Sequence, residues 1–351
     1  MLVLFFHNFY FIPYSQFGWI GVDLFFVLSG FLITEILLRT REEKKFLKKF
    51  YIRRILRIFP LYYLSLFLFF MIAPYFSALK SQYSFYYDHQ AMMWLYLQNW
   101  LFIFHAHPAN NMLFQHFWSL AIEEQFYLIW PFVILICKNQ KKLIWVIYIS
   151  LASCILFRIF SWAYYSNNNI IFYLQNWTRI DGICVGSLIA VWKFNRQHLE
   201  NKILKFSGVL ISIHLLAIII VRTILKHTPQ YYFFIFTSVS AAFGIILVYA
   251  LKDRIPFIKS LLSSRPLCYL GKISYGLYIF HYPVLQLVRF YLPDIKITIG
   301  SIQIDRILII ALVSTAIALF VSILSYHFFE TKILMLRNRI TNDNLRLAPR
   351  R

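Results

Sequence analysis

Of the 351 residues, 60% are hydrophobic and only 14% are charged, about half the charged share of an ordinary soluble domain, so a water-soluble globule is excluded and the bilayer becomes the solvent. The formal net charge of +21 would suit nucleic acid only if it were gathered on one exposed face of a folded domain. It is instead divided among short loops, which removes nucleic acid from the expected partners.

In chain order, Met1 to Tyr14 is apolar but short. It lacks a cationic start and a small-residue cleavage site, and so reads as a truncated first helix rather than a signal peptide. Further spans of about 20 apolar residues are expected near 17–38, 59–79, 118–137, 143–165, 172–192, 206–225, 231–251, 268–291 and 305–329. Each must be helical, because a helix satisfies its own backbone in lipid and an open strand does not. The expected fold is therefore all-α, a polytopic transmembrane bundle of about ten helices. A membrane domain over 1–335 is followed by a short basic tail over 336–351.

Lys and Arg crowd the segments 39–57, 138–142, 193–205, 252–272 and the stretch after Glu330. These alternate with loops nearly free of cations, which by the positive-inside rule places the rich loops, and with them both termini, in the cytoplasm. The longest loop on the other side, about 80–117, holds several Tyr and Trp with His89, His105, His107 and His116, and reads as a lid or an interfacial segment. Its histidines have no carboxylate or cysteine at ligand spacing, and no metal site is expected. Cys137, Cys154, Cys184 and Cys268 each fall in an apolar segment and read as small core residues.

Ionisable groups inside lipid are costly, so those that are present mark cavities or partners. If the first two segments form a hairpin turning near Ser15, His7 and Asp23 lie at one depth. That is the geometry of a general base held in one tautomer, or equally of a polar helix pair that merely satisfies itself. Arg54 and Arg57, at i and i+3 before Pro60, share a helix face. Their guanidinium forks suit phosphate, while ordinary contact with lipid headgroups is the plainer explanation. Glu123 and Glu124 open an otherwise apolar helix; compensation of the helix dipole accounts for one of them more readily than for both. Arg179 and Asp181, two apart, point in different directions and are expected to serve partners on other helices. In the stretch from Gly271 to Pro283, Ser274, Tyr275 and His281 are candidates of second rank, the glycines allowing close helix approach.

Taken together and in order, these stretches resemble the acyltransferase-3 family of membrane O-acyltransferases. The matching residues are His7, the run Gly18 to Phe31, the Arg-rich entry to Pro60, Phe117 to Tyr127, Arg179 with Asp181, Gly271 to Pro283, and a last helix ending near Glu330. The resemblance implies an enzyme with no permanently bound cofactor, seated in a bacterial-type cytoplasmic membrane. Its co-substrate would be acyl-coenzyme A, commonly acetyl-coenzyme A. It would deliver the acyl group to a hydroxyl of a cell-envelope carbohydrate or glycolipid. It further implies that His7 is the essential first-helix histidine and that Arg54 and Arg57 are the donor-contacting pair. Glu123, Glu124 and the 80–117 loop are then expected to position the sugar. Family members carry further residues before the first-helix histidine, including an Arg-Gly pair, that have no counterpart before His7.

A transporter or flippase of a sugar or lipid is the rival expectation, since buried polar groups would serve a translocation path equally well. The internal repeats and matching broken helices common in transporters are not seen in the sequence. A membrane scaffold or sensor without chemistry would not need His7 and Asp23 at one depth. Oligomeric state does not follow from the sequence.

Overall fold

The computed structural model describes residues 1–76, 83–105, 113–164, 174–194, 232–252, 256–292, 297–299 and 302–341, with the isolated Gly208 and Ser212. The span expected at 206–225 (apart from those two residues), His107 and the tail beyond residue 341 lie outside the described residues. The helices that frame the molecule are α1 (Leu2–Asn8), α2 (Ile20–Thr40), α3 (Phe46–Ile72), α4 (Trp118–Ile136) and α5 (Gln140–Tyr164). They continue with α6 (Asp181–Phe194), α7 (Tyr232–Leu251), α8 (Arg265–Tyr291), α9 (Arg306–Ser325) and α10 (Thr331–Ile340). A small antiparallel hairpin, β1 (Ile297–Ile299) with β2 (Ile302–Ile304), joins α8 to α9.

The molecule is an all-α polytopic membrane protein. Among the described residues five helical segments are long and apolar enough to cross a bilayer: Ser15–Thr40, Phe46–Tyr75, Gln115–Ile136, Gln140–Ser161 and Arg306–Ile340. Their outer faces carry large apolar side chains in the open, among them Leu128, Ile129, Ile136, Trp145, Ile149 and Leu156. So much exposed hydrocarbon is a liability in water and the normal condition against lipid tails.

Helix α3 begins at Phe46, well before the expected 59. Lys and Arg are good helix formers whose heads reach water while their stems lie along apolar surface, so the basic stretch extends the helix while Phe46 and Phe50 are buried. The span expected over 172–192 is broken: a turn of helix over Asn176–Arg179 is followed by Ile180 and then by α6. Helices α2 and α6 touch at their backbones. A Cβ on Gly30 would lie 2.0 Å from the Ile183 carbonyl oxygen, and one on Gly186 would lie 2.0 Å from that of Val27. Small residues permit that approach in a membrane, and Thr34 pins it by donating to Ser187 at 2.9 Å, while Trp130 on α4 donates to Thr34 at 2.8 Å.

The described part of the segment before α4, expected to be a lid or an interfacial segment, packs against α3. Its short helices Ser84–Asp88, Gln90–Trp94 and Gln98–Phe104 fold back onto α3. Tyr62 donates to the Met93 carbonyl at 2.7 Å and Tyr63 to that of Trp94 at 3.0 Å. Tyr83, Tyr86, Tyr96 and Phe117 are buried in one apolar cluster with Phe26, Leu61 and Leu66. Three of the cysteines are buried as expected, but Cys268 is exposed.

Candidate active site

The hairpin formed by α1 and α2 has a register different from the expected one. A Cβ on Gly18 would meet the Leu2 carbonyl oxygen at 2.3 Å and the Phe6 Cβ at 2.8 Å, and one on Gly21 would meet the Leu2 Cβ at 2.9 Å and the Val3 Cγ2 at 3.0 Å. All four contacts place the antiparallel midpoint before Ser15, between about residues 10 and 12. Asp23 is then displaced from His7 by at least about six residues along the hairpin, roughly 9 Å or more at helical rise. The pairing of His7 with Asp23 is therefore corrected: each has a different partner.

The partner of His7 is His281. The Nδ1 of His7 lies 3.0 Å from the Nε2 of His281, and the two rings are stacked with centroids 5.2 Å apart. The other nitrogen of His281, Nδ1, faces the carbonyl oxygens of Leu277 at 3.1 Å and Tyr278 at 2.8 Å. A carbonyl only accepts, so His281 Nδ1 carries a proton, and in a neutral ring Nε2 is then an acceptor. It follows that His7 donates through Nδ1–H, which leaves the lone pair of a neutral His7 on Nε2. Sequence spacing suggested a carboxylate beside His7; a backbone-anchored imidazole stands there instead.

A third imidazole stands close by. His116, in the turn Gln115–Phe117 that leads into α4, is buried with its ring centroid 4.9 Å from that of His281 and 5.4 Å from that of Tyr282. Tyr278 donates to the His116 carbonyl at 2.6 Å. In the sequence His116 was one of several loop histidines, and nothing in its spacing separates it from His89 or His105.

Two cavities meet at this cluster. The first, of about 270 Å³, is lined by Arg54 and Arg57 on α3, Ser29 on α2, Glu123 and Tyr127 on α4, and Ser274, Tyr275, Tyr278 and His281 on α8. The second, of about 570 Å³, is lined by His7, Tyr10, Trp19, His116, Trp118, Tyr278, Tyr282 and Arg289. Val3, Val22 and Tyr278 line both and form the partition between them. The basic pair thus stands in one chamber with His281, and His7 opens on the other. Arg54 lies over the Tyr127 ring, 5.7 Å from its centroid. Arg57 and Tyr275 also line a smaller neighbouring cavity of about 260 Å³ that holds Lys272 and Glu330.

Of the two glutamates, Glu123 is buried and lines the first chamber, while Glu124 is only partly buried and does not. One residue on is about 100° around the helix, which accounts for the difference. Tyr275 is held by donating to the Ile58 carbonyl at 2.6 Å, and Ser274 donates to Gly271 at 2.8 Å.

Arg179 and Asp181 line neither chamber. Arg179 pairs with Asp23 at 3.0 Å and Asp181 with Arg158 at 2.7 Å, all four fully buried. Arg158 also donates to the Thr178 carbonyl and to Thr237, and Thr237 donates to Asp181 at 2.7 Å. The Arg179 guanidinium lies 3.8 Å from the centre of the Phe236 ring and 5.4 Å from that of Trp118. One ion pair thus ties α2 to the turn Asn176–Arg179 and the other ties α5 to α6, while Thr237 and Phe236 bring in α7. Arg158 was missed in the sequence, although a single arginine in the middle of an apolar span was signal enough.

The profile of the family described as "Acyltransferase domain" matches residues 1–327. The chain is 30% identical over 340 residues to the peptidoglycan O-acetyltransferase OatA of Listeria monocytogenes, covering 90% of this chain and 51% of that protein. It is 33% identical over 347 residues to the putative peptidoglycan O-acetyltransferase YrhL of Bacillus subtilis, covering 90% and 50%. It is 30% identical over 331 residues to the O-acetyltransferase OatA of Staphylococcus aureus, covering 90% and 52%. The chain thus spans about half the length of these relatives. The comparison with solved structures gives no significant match.

Proposed function

This chain belongs to the acyltransferase-3 family, and from that premise we propose that it is a membrane O-acetyltransferase. It takes an acetyl group from cytoplasmic acetyl-coenzyme A and delivers it to a hydroxyl of a cell-envelope carbohydrate, a cell-wall glycan by analogy with the names of its relatives. The protein works in the cytoplasmic membrane, with the chamber that holds Arg54 and Arg57 opening inward.

The observation that carries this reading is the meeting of two chambers at the His7–His281 pair. Arg54 and Arg57 hold the phosphates of the donor by bidentate contacts. The flexible thioester arm lies in the first chamber, against Tyr275 and Tyr278, with its acyl end toward the partition. The acceptor occupies the second chamber, where aromatic faces on Tyr10, Trp19, Trp118 and Tyr282 suit the flat apolar sides of a sugar ring.

His7 Nε2 removes the acceptor hydroxyl proton as that oxygen attacks the thioester carbonyl. The carbon–sulfur bond breaks, the thiolate leaves as coenzyme A, and the proton held by His7 passes to it. His281 keeps the His7 lone pair on the reacting side and accepts a hydrogen bond from the imidazolium that forms. Holding both reactants in adjoining chambers makes the encounter effectively unimolecular.

The test is acetyl transfer from radiolabelled acetyl-coenzyme A to glycan fragments by the protein in proteoliposomes, with His7→Ala beside it. Wild-type transfer and its loss in folded His7→Ala are expected. Full activity in His7→Ala would overturn the mechanism, and glycan movement across the vesicle without acetylation would favour a transporter.

A further inference from the structure

The second chamber contains a cation that the chemistry above does not use. Arg289, in the last turn of α8, lines it together with His7, Tyr10, His116, Trp118 and Tyr282. It is partly buried. Its guanidinium lies over the Tyr10 ring, 5.2 Å from the centroid. None of the residues lining this chamber is acidic, and among the described residues no carboxylate forms an ion pair with Arg289. A partly desolvated cation with no counter-charge among the described residues costs free energy, and a membrane protein keeps one chiefly where a ligand supplies the charge.

The setting is ordered. Arg306 donates to the carbonyls of Arg289 and Leu292, the latter at 2.7 Å, and so caps the end of α8. Eight residues separate His281 from Arg289, about 12 Å along the helix. Arg289 therefore stands about two helical turns beyond the imidazole that orients His7, in a chamber that Tyr282 and Trp118 also line.

From this geometry we infer that Arg289 reads an anionic group, a carboxylate or a phosphate, carried by the acceptor sugar, so that the second chamber selects acidic saccharides over neutral ones. The inference rests on the assignment of this chamber to the acceptor. A planar fork above an aromatic ring is suited to bidentate contact with either anion. A simpler role, compensating the dipole at the end of α8, would leave preference among acceptors untouched.

The experiment is binding by calorimetry to the full chain in nanodiscs, paired with acetyl transfer. The probes are N-acetylmuramic acid, its methyl ester and N-acetylglucosamine 1-phosphate. The wild type should bind the free acid or the phosphate about tenfold or more tightly than the ester, the gain expected of a charge-assisted contact. The stronger of the two identifies the anion. Arg289→Met should bind all three alike, and Arg289→Lys should keep a reduced preference. Equal binding of acid, phosphate and ester by the wild type overturns the inference, as does an undiminished preference in Arg289→Met. Should Arg289→Met fail to fold, an undiminished preference in Arg289→Lys overturns it instead, because the fork would then be immaterial. A charge preference without acetyl transfer to any probe would sink the proposed activity and leave this anion site standing.

Discussion

The Nδ1 of His7 lies 3.0 Å from the Nε2 of His281, a residue 274 positions away. This one contact joins the shortest helix of the frame to one of the longest and sets which nitrogen of His7 can act as a base. His281→Ala removes the acceptor and frees the tautomer of His7. Acetyl transfer should then fall by about 10-fold to 100-fold in kcat, at or below the lower edge of what general acid–base assistance contributes because His7 itself remains, with little change in KM for acetyl-coenzyme A. His281→Gln, whose amide oxygen can accept from His7, should recover part of the loss. Steady-state rates in proteoliposomes at several donor concentrations separate the two parameters, and an unchanged kcat in His281→Ala would deny His281 its positioning role.

The corrected partner of Asp23 has a consequence for stability. Asp23 and Arg179 are both fully buried and 3.0 Å apart, and removal of one partner from such a pair costs about 3–5 kcal/mol because the other charge is stranded. Asp23→Ala should therefore lower the thermal midpoint in detergent sharply. Adding Arg179→Met should restore part of it, since two neutral residues strand nothing. A general-base partner would behave differently, losing rate while the fold held. Fluorescence-detected size-exclusion after heating measures the midpoint, and simple additivity of the two changes would remove the argument.

Much of the fold was legible because lipid imposes a harsh rule: apolar runs long enough to cross it must be helical. The ends of α4, α7 and α8 accordingly fall within a few residues of where hydropathy places them. Hydropathy sets the apolar span from 59 because it excludes Lys48, Arg53 and Arg54; the i, i+3 spacing of Arg54 and Arg57 implied helix before it, but not how far back toward Phe46 their stems let it run. The site was legible in its ingredients and not in its pairings. His7, Arg54, Arg57 and Glu123 each stand out as polar groups in apolar surroundings, but the register between α1 and α2 depends on Gly18 and Gly21 receiving Phe6 and Val3. A turn read as symmetric about Ser15 misses that offset and so assigns His7 the wrong neighbour. His281, Arg158 and His116 find their partners across distant helices, through contacts that no spacing rule encodes.

The glycines of the α2–α6 contact offer a comparison with a built-in control. Gly30→Ala and Gly186→Ala would each drive a methyl group to 2.0 Å from a backbone oxygen of the facing helix. Backbone yields poorly, so each should destabilise by about 1–3 kcal/mol or more, the usual cost of overpacking. Gly271→Ala meets nothing within 4 Å and should be neutral or slightly stabilising, by about 0.5–1 kcal/mol for a helix interior. Thermal midpoints of the three variants decide the matter, and a Gly186→Ala protein as stable as Gly271→Ala would show that the two helices are not in backbone contact.

Arg54 and Arg57 share the first chamber, but their surroundings differ, and so should their loss. Arg54 lies over the Tyr127 ring and lines the first chamber, whereas Arg57 borders both that chamber and the smaller one with Lys272. If both grip donor phosphates, Arg54→Ala and Arg57→Ala should raise KM for acetyl-coenzyme A by about 10-fold or more, the worth of a charge-assisted contact. Once the donor is saturating, kcat should be nearly restored, because a contact made equally to donor and transition state affects binding alone. Lysine at either position should rescue incompletely, since a point charge does not reproduce the guanidinium fork. Competition by coenzyme A and by pantetheine lacking the nucleotide separates the parts of the donor: the variants should weaken coenzyme A and leave pantetheine unaffected. Equal weakening of both competitors would move the arginines from the phosphates to the thioester arm.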